Sequence, residues 1–352
     1  MNFLQSCRKI ISLLVLFVIS LLAQISVLAQ NDSVPAVATP TIAPTKTLTP
    51  SAPPLSPEAT SNSISSDSVQ PFQAFTQGDL STLTGNIQRP NGLLWYNDKL
   101  YSSCSGDWTV YEIDAATGET AQYIYGVKNA HTLIATGTDL DFSLWIPDFQ
   151  SNTVTQVSKG ISKNISTNLN GPWGISVLET GQFLVSNLHT NDVVLLDGTS
   201  SVEVIKNLRS PTGLVADSDF IYVANTGSAR RAIEWFKLDD TISSSAPIDA
   251  SDNSISHSLV TGLQNVTSLV MAGDGHLYFS YALGTRGIVG RIDPNACRNK
   301  GGCSNSEIDI VLYTEMAAPL AGLTISSDLV LYVHSIYSPD IYWVDLKSNV
   351  RN

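Results

Sequence analysis

The chain has 352 residues, which is enough for one large domain or two ordinary ones. Charged residues make up only 14%, against roughly 25% in typical soluble domains, and the formal net charge is −12. Because nucleic acids and anionic lipid surfaces bind cationic proteins, this charge argues against both as partners.

The N-terminus has the pattern of an export signal. Arg8 and Lys9 precede an uncharged apolar run over 10–22, and Val27-Leu28-Ala29 fits the rule for signal-peptidase cleavage. We therefore predict a signal peptide over 1–29 and a protein that is secreted, periplasmic or on the cell surface. An uncleaved signal anchor is the alternative, since the apolar stretch approaches the ~20 residues that span a bilayer. No other membrane contact is expected.

Residues 30–72 are predicted to be a disordered linker. Between Asn31 and Gln70 there are seven Pro, six Thr and eight Ser, and no apolar periodicity. Such a segment buries too little surface to offset its ordering entropy, and its prolines favour an extended stalk.

Residues 73–347 repeat one pattern six times. Each copy has a turn followed by an aliphatic residue, at Leu93, Leu133, Ile175, Leu214, Leu269 and Leu323. A second apolar pair follows each of these, and then further short runs rich in β-branched and aromatic residues between Gly, Asn and Asp turns. Four short strands per 39–55 residues, six times over, predict an all-β, six-bladed β-propeller of four-stranded blades.

The sixth copy stops after its third strand, while a spare strand-like segment lies at Leu80–Ile87, before the first copy. We predict that this N-terminal strand completes the last blade and closes the ring. Cys297 and Cys303 bracket a short loop, and in an exported protein they are predicted to form a disulfide. Two unpaired thiols are the alternative.

In such a ring, the turns that lead into the first strands and the loops between strands two and three share one face. His131 and Asp148 are candidates for a catalytic base with its orienting partner. Asn91 and His131 are candidate metal ligands. The other candidate ligand-binding residues on this face are Asn91, Trp173, Asn187, His189, Asn225, Arg230, Arg231, Tyr281 and Arg286. Structural roles are the alternative for each, because Asp and Asn at strand ends commonly bond local backbone.

Pro90-Asn91-Gly92-Leu93 and Val110-Tyr111-Glu112-Ile113-Asp114 resemble the regucalcin/gluconolactonase superfamily, and 211–214, 221–226 and 274–278 resemble NHL-repeat propellers. The first resemblance implies lactone or ester hydrolysis, or lyase chemistry, with one divalent cation such as calcium at the channel mouth. Asn91 matches the family's Asn-Gly turn. The next turn offers His131 where an Asp is expected, and no turn offers the family's Glu.

Our leading hypothesis is an exported NHL-like propeller, monomeric, that binds a small molecule, a carbohydrate or a protein at its channel mouth. A hydrolase or lyase with a degenerate metal site and a structural envelope protein are the alternatives.

Overall fold

The computed structural model describes residues 72–138, 141–165 and 168–349. The predicted signal peptide, and the predicted linker apart from Phe72, lie outside these residues. The described chain is a six-bladed all-β propeller, which confirms the predicted fold. None of its helices is long and apolar enough to cross a bilayer.

Two short strands and a 3-10 turn (Gln77–Asp79) precede the first blade; the strands are β1 (Phe75–Thr76) and β2 (Ser81–Thr84). Blade one contains β3 (Pro90–Tyr96), β4 (Lys99–Cys104), β5 (Thr109–Asp114) and β6 (Thr120–Tyr125). Blade two contains β7 (Ile134–Thr138), β8 (Asp141–Asp148), β9 (Thr153–Ser158) and β10 (Ile161–Ile165). Blade three contains β11 (Pro172–Val177), β12 (Phe183–Asn187), β13 (Asp192–Asp197) and β14 (Ser200–Lys206).

Blades four and five each carry a helix and an extra strand between their third and fourth strands. Blade four contains β15 (Pro211–Ala216), β16 (Phe220–Asn225), a 3-10 turn (Ala229–Arg231), β17 (Ile233–Lys237), α1 (Leu238–Ser243), β18 (Ile248–Asp249) and β19 (His257–Thr261). Blade five contains β20 (Gln264–Met271), β21 (Leu277–Leu283), β22 (Arg286–Ile292), α2 (Pro294–Asn299), β23 (Cys303–Ser304) and β24 (Asp309–Ala317). Blade six contains β25 (Leu320–Ile325), β26 (Val330–Ser335) and β27 (Ile341–Asp345), and a 3-10 turn (Leu346–Asn349) follows it.

The first strand of each blade is the innermost one. The two ends of these inner strands lie on opposite faces of the ring. We call the face with the turns that lead into these inner strands the turn face. The opposite face, with the hairpins between the first and second strands, is the hairpin face. Apolar side chains fill the spaces between blades, and one buried cluster joins Tyr222 of blade four to Phe279 of blade five. Each sheet is therefore covered by its neighbours.

The N-terminal strand closes the ring, as the sequence predicts. Strand β2 pairs antiparallel with β27, with Ser81 opposite Trp343, and becomes the outer strand of blade six. The pairing covers Ser81–Thr84, in the first half of the predicted segment Leu80–Ile87.

Three blades gain a fifth, parallel outer strand from the segment that precedes the outer strand of the next blade. Strand β18 pairs with β14 of blade three, β23 with β19 of blade four, and β1 with β24 of blade five. The long insertions of blades four and five are therefore clasps between blades. The predicted disulfide between Cys297 and Cys303 is present and ties α2 to β23 within one clasp. Cys104 is free and buried.

A buried or half-buried side chain of each blade also donates a hydrogen bond to an inner backbone carbonyl of the next blade. The six bonds run from Ser103 to Ala130 (2.7 Å), Thr132 to Trp173 (2.5 Å), Ser186 to Thr212 (2.6 Å), Thr212 to Val266 (2.8 Å), Thr267 to Leu320 (3.0 Å) and His334 to Asn91 (2.7 Å). These bonds join all six blades around the axis, and in blade six an imidazole does what a hydroxyl does elsewhere.

Candidate functional site

Four ring side chains from blades two and three meet at the turn face, and we call them the mouth cluster: His131, Phe149, Trp173 and His189. The rings of His131 and Trp173 stack, with centroids 3.5 Å apart and an interplanar angle of 2°. Phe149 packs edge-on against both, at 5.8 Å from each centroid, and lies 4.8 Å from the His189 ring. The turn that leads into β7 positions His131, and the first residues of β11 position Trp173. The loops after β8 and β12 position the other two rings.

The exposed ring of His189 occupies space that only glycine leaves open. Its Nδ1 lies 3.2 Å from the Asn170 amide oxygen. A Cβ atom on Gly171 would lie 2.8 Å from the same Nδ1, and Gly171 has a φ of +65°, which L side chains rarely adopt. Gly171 therefore both shapes the turn and makes room for the ring.

Buried polar atoms at this face lack hydrogen-bond partners among the described residues. They are Nδ1 of His131, Nε1 of Trp173 and Nδ1 of His334. The Asn91 carbonyl can only accept, so Nε2 of His334 carries the hydrogen and Nδ1 of the neutral ring is left as an acceptor. Trp173 Nε1 is a donor. The face thus offers at least one free donor and one free acceptor, each costly to leave unpaired.

Both buried histidines are neutral near pH 7. Burial lowers the pKa of His131 to about 3, and the nearby His334 lowers it further in the same direction. Burial also lowers the pKa of His334 to about 4. A neutral imidazole of such low basicity binds ligands by hydrogen bonding and stacking, and it is a weak general base.

The Asp148 carboxylate is engaged with backbone. It is 1% exposed and accepts hydrogen bonds from the amides of Lys128, Asn129, Gln150 and Ser151, at 2.8–3.3 Å. Its described contacts do not include His131. Asp148 therefore fixes the turn that leads towards His131, and the orienting role predicted for it requires a rearrangement.

Asn187 and Asn225 do the same in blades three and four. The Asn187 amide oxygen accepts from the backbone of Asn170, and the Asn225 amide oxygen accepts from that of Arg209. Both side chains are at most 1% exposed. Their positions match the prediction, but their polar atoms hold the preceding turn.

Asn91 is also buried and engaged. Its amide nitrogen donates to the Asn129 side chain at 2.7 Å, and its carbonyl accepts from His334. Among the described residues, no group of three or more His, Cys, Asp or Glu side chains is placed to hold a metal ion. The calcium site implied by the resemblance stays a prediction.

The predicted arginines lie in the outer part of the ring. Arg231 pairs with the fully buried Glu234 and with the Ser256 hydroxyl, so its charge is neutralised inside blade four. Arg286 forms an exposed ion pair with Glu315 at 2.7 Å. Arg230 is exposed beside this network. Tyr281 is 4% exposed in an apolar cluster, where burial raises its pKa to about 12.

Sequence reasoning missed Phe149 and His334. Phe149 follows Asp148 directly, and its ring completes the mouth cluster. His334 occupies the position of Ser103 and Ser186 in the repeat, two residues after the apolar pair, and an imidazole among serines was the available signal.

No protein-family model matches the chain, and no curated protein matches it in sequence. Among solved structures, it is similar to a gluconolactonase from Xanthomonas campestris, with a TM-score of 0.55 and 16% identity over 75% of this chain and 88% of that one. A streptogramin B lyase gives a TM-score of 0.51 and 15% identity over 75% and 96%. A chain of a nidogen/laminin complex gives 0.53 and 14% over 69% and 88%. These likenesses bear out the predicted resemblance at the level of the six-bladed fold.

Proposed function

We propose that this propeller is a non-catalytic binding module whose mouth cluster holds an uncharged, ring-shaped, hydroxyl-bearing ligand, such as a saccharide. The fold it shares with gluconolactonases, a lyase and a nidogen complex serves both chemistry and binding, so the choice rests on the site.

The observation that carries the proposal is the set of unpartnered buried atoms on His131, Trp173 and His334. A hydroxyl group both donates and accepts, so a sugar hydroxyl matches the unpartnered donor on Trp173 and Nδ1 of the stacked His131 ring in either tautomer. Aromatic rings beside these atoms provide apolar surface for the face of a sugar ring.

Electrostatics favour an uncharged ligand. Both buried histidines are neutral, and the Asp148 carboxylate is enclosed by backbone amides. The amides of Asn129 and Asn170 are uncharged neighbours of this region: Asn170 lies 3.2 Å from His189, and Asn129 bonds the Asn91 side chain. Amides and aromatic rings without a net charge suit a neutral polyol better than an acid or an amine.

Binding is preferred over hydrolysis or lyase chemistry because the two catalytic candidates are separately engaged. Asp148 holds backbone, and the low pKa of His131 gives it little capacity to abstract a proton. A purely structural envelope role remains the competing outcome of the experiment below.

The test is a titration of the domain 72–349 with neutral mono- and disaccharides, followed by calorimetry and tryptophan fluorescence. We expect saturable binding that W173A weakens at least tenfold. H189A removes an exposed ring of the mouth cluster without touching a core and is expected to weaken binding too. H257A is the matched control, since His257 is an exposed histidine stacked 4.7 Å from Trp235 on blade four. Absence of binding by every saccharide, or full binding by W173A and H189A, contradicts the proposal.

We also propose that the protein is exported and displayed on the 30–72 linker. Its support is the signal-like pattern of residues 1–29 and the disulfide of the propeller, which persists in oxidising compartments. N-terminal sequencing of the protein recovered outside the producing cells tests this: a mature chain that starts at Gln30 is expected. Recovery of the intact chain in the cytoplasm alone contradicts it.

A further inference from the structure

A cavity of about 350 Å³ lies on the propeller axis, on the hairpin side of the mouth cluster. Its lining comes from the second halves of the inner strands and ends at Tyr96, Val177 and Ala216, the last residues of β3, β11 and β15. Val177 is 38% exposed, so this end reaches solvent. Of the turns that lead into the inner strands, only that of blade two contributes to this lining, with His131, Thr132 and Leu133.

Aliphatic side chains form the waist of the cavity. One comes from each blade: Leu93, Leu133, Ile175, Leu214, Leu269 and Leu323. Beyond this waist, towards the turn face, neighbouring inner strands approach closely, since a Cβ on Gly174 would lie 2.4 Å from the Thr212 carbonyl. We call this cavity, which reaches solvent at its hairpin end, the axial well.

The hydroxyl groups in the lining are directed at neighbouring inner strands. Ser176 accepts from the amide of Ala216, and Thr324 accepts from the amide of Trp95, both at 3.0 Å. Thr132 and Ser268 donate to the carbonyls of Trp173 and Ala321. Each of these four hydroxyl groups thus has a partner on a neighbouring inner strand.

None of the lining residues is charged, because the low pKa of His131 keeps its imidazole neutral. Desolvating a charge in such a well is costly, whereas apolar area removed from water contributes about 25 cal/mol per Å². A volume of about 350 Å³ lies within the ~300–1,000 Å³ range of small-molecule sites.

We propose that this axial well, which shares only the His131 ring with the mouth cluster, is a second binding site for one small uncharged apolar molecule with a compact ring system. Its ligand enters from the hairpin face, so it does not compete with a ligand at the turn face.

The test uses N-phenyl-1-naphthylamine, an uncharged fluorescent ring compound, and its sulfonated analogue 8-anilino-1-naphthalenesulfonate. We expect one naphthylamine per propeller, with enhanced fluorescence and a dissociation constant in the micromolar range, and at least tenfold weaker binding of the sulfonate. A216F places a ring in the well and is expected to weaken naphthylamine binding at least tenfold. A121F adds the same ring to the exposed outer strand of blade one and is expected to change nothing.

Because A216F can disturb packing, V177W serves as a second variant at the solvent end, where the native side chain is already partly exposed. Its expected effect is also a tenfold loss. H189A alters the mouth cluster at an exposed ring that does not line the well, and it is expected to bind the naphthylamine normally, so the two sites can fail separately. Equal binding of both dyes, or unchanged binding in both A216F and V177W, overturns the proposal.

Discussion

The hydrogen bonds that pass from blade to blade make a quantitative prediction about stability. The Ser103 hydroxyl accepts from the Gly92 amide at 3.0 Å and donates to the Ala130 carbonyl at 2.7 Å. Ser186 repeats this in blade three, with the Gly174 amide at 2.8 Å and the Thr212 carbonyl at 2.6 Å. Both serines are at most 1% exposed.

Substitution of either serine by alanine leaves one amide and one carbonyl buried without this partner. Each unsatisfied group costs about 1–3 kcal/mol, so S103A and S186A are each expected to lower the free energy of unfolding by about 2–6 kcal/mol. This is a large part of the ~5–15 kcal/mol of a typical domain. Because the two serines lie in non-adjacent blades, the double variant is expected to lose the sum to within about 0.5 kcal/mol.

Urea unfolding of the domain 72–349, followed by far-UV circular dichroism, measures these losses. S200A is the matched control, since Ser200 is exposed and bonds only the Asp197 carbonyl of its own hairpin in the described contacts. It is expected to change the free energy of unfolding by no more than about 0.5 kcal/mol. Losses of that small size in S103A and S186A would refute the idea that these bonds hold the ring together.

Four other variants test the closure, the clasps and the buried charges. F75A removes a phenyl ring of β1 that is 3% exposed and packs against blade five. It is expected to lower the free energy of unfolding, measured with urea, by about 3–5 kcal/mol. A decrease below about 1 kcal/mol would show that β1 is dispensable for stability. For His334, the pKa of about 4 in the folded state against 6.5 in the unfolded chain means that stability present above pH 6.5 is lost as the pH falls towards 4. That loss is about 2 kcal/mol at pH 5. H334Q should therefore reduce the slope of the free energy of unfolding against pH between pH 7 and 5. An unchanged slope contradicts the low pKa of His334. C297S opens a short disulfide loop and is expected to cost about 2 kcal/mol, and dithiothreitol should destabilise the native protein but not the variant. E234Q leaves the Arg231 guanidinium without its carboxylate partner and is expected to lower the free energy of unfolding by about 3 kcal/mol. E203Q, at an exposed position of blade three, is the control and should leave the free energy of unfolding and the melting temperature almost unchanged.

The architecture was predictable because it repeats. Six aliphatic anchors at regular spacing and a spare strand before the first copy specify both the number of blades and the closure by β2. The clasps were not predictable, because β18 and β23 are only two residues long and pair with another blade. Pairing of that kind depends on the distance between blades, and no local periodicity encodes it.

The site was predictable only by position. His131, Trp173 and His189 were assigned to one face, and their rings meet there through Phe149. Asp148 was also placed on the correct strand end. Its hydrogen bonds to backbone amides depend on the path of the preceding turn, so a sequence cannot distinguish a catalytic carboxylate from one that fixes a loop.

Closure by β2 means that the first part of the domain to be synthesised needs the last part to complete its sheet. The Trp95 amide of blade one and the Thr324 hydroxyl of blade six form a hydrogen bond between the first and last blades, and they are separated by 229 positions in the sequence. Pairing over such separations is slow, since loop-closure entropy is lost before any contact forms. If the chain crosses a membrane unfolded, blades one to five can form on the far side before blade six, which needs its C-terminal strands. The complete propeller is then present only after the whole chain has crossed.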